Sequence, residues 1–65
     1  MMYYVQWAEP KADWHTEIKY HSLGAALRHA CVEAQMVSET PYRVIKIKEN
    51  GKVKVLAKFK PMRDV

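Results

Sequence analysis

From Tyr3 to Glu9 the chain alternates as a strand does, with Tyr3, Val5 and Trp7 on one side and Tyr4, Gln6 and Ala8 on the other. A second alternating run, Trp14 to Tyr20, sets Trp14, Thr16, Ile18 and Tyr20 against His15, Glu17 and Lys19. Between them Pro10-Lys11-Ala12-Asp13 has turn chemistry. Placing Glu9 opposite Trp14 pairs Trp7 with Thr16, Val5 with Ile18 and Tyr3 with Tyr20, which collects the apolar residues on one face. The pattern predicts a hairpin.

Ser22 then offers an N-cap to a run from Leu23 to Val37 whose apolar residues recur at helical spacing. Leu23, Ala26, Leu27, Ala30, Ala34 and Val37 form one stripe. Because half of that stripe is alanine, the helix can lie close to a sheet carrying bulky aromatic side chains. It must end by Thr40, since Pro41 disfavours helical geometry in the residue before it.

Two more alternating runs, Tyr42 to Glu49 and Lys52 to Lys60, flank Asn50-Gly51, a strong hairpin signal. A two-residue loop would pair Ile47 with Lys54 and mix polar with apolar on both faces. A three-residue loop, Glu49-Asn50-Gly51, pairs Ile47 with Val53 and Ile45 with Val55, and sets Lys48 opposite Lys52, Lys46 opposite Lys54 and Val44 opposite Leu56. A slip of one residue exchanges the faces, so the pattern favours the second register, with Gly51 in the left-handed position. The expected fold is α+β: hairpin, helix, hairpin (ββαββ), a four-stranded, mostly antiparallel sheet with the helix on one face. Residues 1–60 form one domain and 61–65 a loose tail.

Length and composition narrow the class. Sixty-five residues, with 49% hydrophobic residues, two Trp, four Tyr and only two Gly, suit one small folded domain. Cys31 is the only cysteine, so no internal disulfide forms, which points to a reducing compartment. No apolar run approaches the ~20 residues of a membrane span. The opening MMYYVQWAEP lacks the basic head and apolar stretch of a secretory leader. The expectation is a soluble, cytoplasmic protein. Its formal charge of +4 is unevenly spread: residues 1–41 carry three cations against five anions, net −2, and residues 42–65 eight against two, net +6. Such asymmetry suits an anionic partner.

Spacing argues against catalysis and metal binding. His29 and Cys31 stand about 200° apart around a helix, and His15 and His21 are six residues apart along the chain, so neither pair grips one ion. Cys31 reads as a small buried hydrophobe, Ser22 as a cap, and Glu9 and Glu17 fall on opposite faces of the first hairpin. Gly24 and Gly51 are too few and too far apart for a phosphate loop. No catalytic residue, metal ligand or cofactor is expected, and the protein is read as not an enzyme.

The surface expected to act is the open sheet face. By the predicted register it carries Lys46, Lys48, Lys52, Lys54, Lys58 and Lys60 around Tyr4, Tyr42, Val44 and Leu56, with Gln6, His15, Glu17 and Lys19 beside them. Lysines on an edge hairpin can serve only to discourage aggregation. An apolar patch fringed by cations also fits an acidic protein surface or a nucleic-acid backbone. A secondary contact lies outside the helix, where Val32 and Met36 stand near Arg28 and His29. The segments YYVQW, WHTEIKY, SLGAALRHA and PYRVIKIKENGKVKVLAKF, in that order, resemble small proteins carried by bacteriophages and mobile elements. That group includes inhibitors of host RNA polymerase and anti-CRISPR proteins that bind type I surveillance complexes. The resemblance implies an inhibitor or adaptor that blocks a surface of a bacterial protein or nucleoprotein complex in the host cytoplasm. It transfers no individual functional residue. Two alternatives stand beside it: a sequence-nonspecific nucleic-acid-binding module, and a self-associating, for instance dimeric, structural component.

Overall fold

The computed structural model of the chain describes residues 1–9, 13–36 and 39–60. It contains strands β1 (Tyr3–Ala8) and β2 (Trp14–Tyr20), helix α1 (Leu23–Met36), and strands β3 (Tyr42–Ile47) and β4 (Val53–Phe59). The four strands form one sheet in the order β2-β1-β3-β4, each neighbouring pair antiparallel. The expected ββαββ arrangement is therefore present. The Pro10–Ala12 turn, Val37 and the 61–65 tail lie outside the described residues.

Ser22 starts the helix as its sequence suggests: its Oγ accepts from the Ala25 N–H at 3.4 Å and its carbonyl from the Ala26 N–H at 3.1 Å. Ala26 and Ala30 are fully buried and Ala34 nearly so, which brings the helix axis close to the sheet. Beneath it lie Val5, Tyr42 and Val44, ringed by the partly buried Tyr3, Trp7, Tyr20, Leu23, Leu27, Ala57 and Phe59. Burying each of the two central valines contributes about 1.5–3 kcal/mol.

The three-residue turn of the second hairpin forms as predicted. Ile47 faces Val53, Lys46 faces Lys54 and Ile45 faces Val55. Gly51 has φ +82°, and its N–H donates to the Lys48 carbonyl at 2.8 Å. The Lys48 N–H donates to the Lys52 carbonyl, also at 2.8 Å, and the Asn50 side chain accepts from the Lys52 N–H. The turn thus sorts apolar from cationic side chains along both strands.

Which sorted face meets the helix is the reverse of the expectation. In the β1–β3 ladder Val5 stands opposite Val44 and Trp7 opposite Tyr42, so Tyr42 and Val44 share the helix side with Val5. Ile45, Ile47, Val53 and Val55 consequently lie on the open face, and Lys46 and Lys54 on the helix side. A β-bulge reconciles this with Ala57 and Phe59 packing under the helix. Val44 pairs with Ala57 and Ile45 with Val55, leaving Leu56 as an extra residue in β4 instead of the partner of Val44.

The other edge strand has a matching irregularity. Tyr3 pairs with Tyr20 and Val5 with Ile18, as expected, but Gln6 then pairs with Thr16 and Trp7 with His15, so Glu17 is an extra residue. Beyond it the faces exchange. Trp14 and Thr16 stand on the open side, whereas His15 turns to the helix side, where its ring lies 4.8 Å from that of Trp7.

Candidate functional site

On the open face, β1 presents Tyr4, Gln6 and Ala8, β2 presents Trp14, Thr16 and Lys19, β3 presents Arg43, Ile45 and Ile47, and β4 presents Val53, Val55 and Lys58. One half is a polar relay. The Arg43 Nε–H donates to the Gln6 Oε1 at 2.8 Å, and the Gln6 amide donates to the Thr16 hydroxyl at 3.1 Å. The Arg43 guanidinium stacks over Trp14 at 4.3 Å from the ring centroid. Burial lowers the Arg43 pKa from its ordinary value.

The other half is apolar. Ile45 is buried between Tyr4 and Val55 in the ladder, but Ile47 and Val53 are 48% and 50% exposed and Val55 38%. The β1–β3 ladder ends at Tyr3 opposite Lys46, so Ile47 and Val53 extend past the last residue of β1 that pairs. Here the second hairpin is an arm with two unlike sides. Lys46 and Lys54 occupy one side and Ile47, Val53 and Val55 the other, while Lys48 and Lys52 continue the ladder to the turn. No strand position on the open face carries a carboxylate among the described residues.

These placements correct the expected contact surface. Tyr42 and Val44, assigned to it, are core residues at 4% and 0% exposure. Lys46 and Lys54 lie on the opposite side of the sheet from Tyr4 and Lys58, with Lys48 and Lys52 continuing from them at the turn, so the six lysines do not share one face. Leu56 is the partly buried bulge residue, and Lys60 lies exposed just beyond β4. Ile45, Ile47, Val53 and Val55, assigned inward, supply the apolar part instead. Arg28, Val32 and Met36 are exposed on the helix as anticipated. His29, partly exposed, lines one shallow depression with Arg28 and Val32, and its ring also reaches β2.

That histidine belongs to a second constellation. Its Nε2 lies 2.7 Å from the Glu17 Oε2 and its Nδ1 2.9 Å from the Tyr20 hydroxyl. Glu33 follows one helical turn later on the same face. One ligand atom from each of Glu17, His29 and Glu33 lies within 4.8 Å of the others. The Tyr42 hydroxyl closes the group from β3. Burial raises its pKa first, then the negative charges of Glu17 and Glu33, and its hydrogen bond to Glu33 adds to the rise. The sequence reading placed Glu17 on the open face; the bulge turns it to the helix. Only the i, i+4 spacing of His29 and Glu33 signals the site in advance.

Comparison with known proteins gives no matching family model, no significantly similar curated protein and no significantly similar solved structure. None of the helices is long and apolar enough to cross a membrane, among the described residues.

Proposed function

We propose that the chain is a non-enzymatic binding protein that acts by occupying an acidic, partly apolar surface of a larger bacterial protein or nucleoprotein, as inhibitors and adaptors of this size do. The contact organ is the second hairpin. What supports this reading is the composition of the open face: Ile47, Val53 and Val55 are exposed on a face that also carries Arg43, Lys58 and, on the far edge strand, Lys19, with no carboxylate at any strand position of that face; Glu49 borders Ile47 just past β3. Exposed β-branched residues on a free hairpin are an aggregation liability unless a partner covers them. An excess of cations over anions around an apolar centre favours a partner of opposite charge and gives it fast, salt-sensitive association. Lys46 and Lys54 on the back of the arm add to the attraction without entering the apolar contact.

The test is affinity capture from bacterial lysate with the wild-type chain, Ile47→Asp, Val53→Asp, and a Lys46→Ala, Lys48→Ala, Lys54→Ala triple variant, with and without nuclease. A protein captured by wild type, retained after nuclease and lost with either Asp variant supports the proposal. The triple variant should bind more weakly and lose its salt dependence in part. Capture abolished by nuclease would instead make the chain a nucleic-acid binder. Capture equal in wild type and both Asp variants would remove the arm as the contact. Dimers in sedimentation that dissociate in Ile47→Asp would make the partner a second copy.

A further inference from the structure

We propose that Glu17, His29 and Glu33 form a three-ligand site for a divalent transition-metal ion of the zinc class, separate from the hairpin arm. The donor set is one imidazole nitrogen and two carboxylate oxygens, which suits zinc and its first-row neighbours. Zinc takes nitrogen at about 2.0–2.1 Å and oxygen at about 2.0–2.2 Å, so ligand atoms in a tetrahedral shell stand about 3.3 Å apart. The present separations, 2.7 Å for His29 to Glu17 and no more than 4.8 Å for any pair, bracket that spacing. Small side-chain rotations therefore suffice.

The supports of the site are built in. His29 and Glu33 come from one helical face at i and i+4, the spacing at which two helical side chains reach one ion. Glu17 comes from the neighbouring strand, and only because the bulge in β2 adds it to the helix side. Tyr20, 2.9 Å from the Nδ1, does the work of an outer-shell partner. With a metal on Nε2 the imidazole carries its proton on Nδ1 and donates it to the Tyr20 oxygen, which fixes the ring and its tautomer. Tyr42, hydrogen-bonded to Glu33, holds the third ligand from below.

The experiment titrates the purified full chain with zinc chloride by calorimetry and with cobalt chloride by visible absorption. Wild type should bind one ion per chain with a dissociation constant below about 100 μM, and cobalt should give the intense visible bands of a tetrahedral site. At a hundredfold excess over the dissociation constant the thermal midpoint should rise by about 10–20 °C. Glu33→Gln and His29→Gln should each weaken binding by about tenfold or more, and Tyr20→Phe by about tenfold through loss of the outer-shell bond. Circular dichroism checks that each variant is folded. Glu33→Gln is the decisive one, because it leaves the Glu17–His29 hydrogen bond in place. His15→Ala and His21→Ala should bind as wild type does. Failure of wild type to bind one ion in that range, or binding that survives both Glu33→Gln and His29→Gln, would reduce the cluster to a hydrogen-bonded strut between β2 and α1. Binding lost in His15→Ala or His21→Ala would place the ion elsewhere.

Discussion

In the β1–β2 hairpin the residue added by the bulge is Glu17; in the β3–β4 hairpin it is Leu56. Each lies in an edge strand, and the two central strands that face them are regular. The outcomes differ. In β2 the extra residue turns a carboxylate toward the helix and sends Trp14 and Thr16 to the open face. In β4 it keeps Ala57 and Phe59 under the helix while Val53 and Val55 turn to solvent. The same local device therefore assembles a polar cluster in one hairpin and leaves an apolar arm in the other. A bulge has no fixed function of its own; what it does depends on which side chains fall on either side of it.

The largest effects should separate covered from uncovered apolar positions within the second hairpin. Val44→Asp buries an unpaired charge and should cost several kcal/mol, more than the ~3–5 kcal/mol a domain of this size holds in reserve, so the chain should be unfolded by circular dichroism. Ile47→Asp, at 48% exposure, should change stability by about 1 kcal/mol or less in urea titration. Equal damage from both would mean that the arm is packed against something. Ile45→Asp should resemble Val44→Asp although it points the other way, because it is 2% exposed.

A smaller contrast concerns the two glycines. Gly51→Ala has open space around the new methyl group but must hold φ at +82°, and should lose about 1 kcal/mol. Gly24→Ala, in the first turn of α1, meets only the Ser22 Oγ at 3.7 Å and should gain about 0.5 kcal/mol. Thermal midpoints moving in opposite directions would confirm that the positive φ at Gly51 needs glycine and that the helix at Gly24 does not.

The smallest effect is in alkaline solution. Folding raises the Tyr42 pKa above 10.0, so above that pH the folded chain holds a proton that the unfolded chain releases. Stability is full below pH 10 and should fall as the pH climbs through the raised value. Tyr42→Phe should show a shallower decline over the same range in urea titrations. An identical decline would mean that neither burial nor the Glu17 and Glu33 charges raise the pKa of this hydroxyl.

Much of this was legible in the residues. Alternation gave all four strands, Ser22 and the alanine spacing gave the helix, and Asn50-Gly51 gave the turn with its register. Both bulges escaped, because adding one residue to an edge strand leaves the alternating pattern on either side intact. The second hairpin also holds two apolar sets on opposite faces, Tyr42, Val44, Ala57 and Phe59 against Ile45, Ile47, Val53 and Val55. Local pattern cannot say which set the helix covers. That is settled by the pairing of Val5 with Val44, a contact between segments far apart in sequence. The Glu17–His29–Glu33 cluster was hidden for the same reason, since Glu17 reaches the helix only through its bulge.

The alanines at 26, 30 and 34 have a further implication for how the chain can change over time. With Ala26 and Ala30 wholly enclosed, any added carbon there would lever the helix off the sheet and disturb every ring beneath it. Those sites are thus the least free to drift, while the exposed residues of the arm, which bear little of the fold, can be replaced at small cost. Distant kin should be sought by that small-residue spacing in the helix sooner than by the lysines.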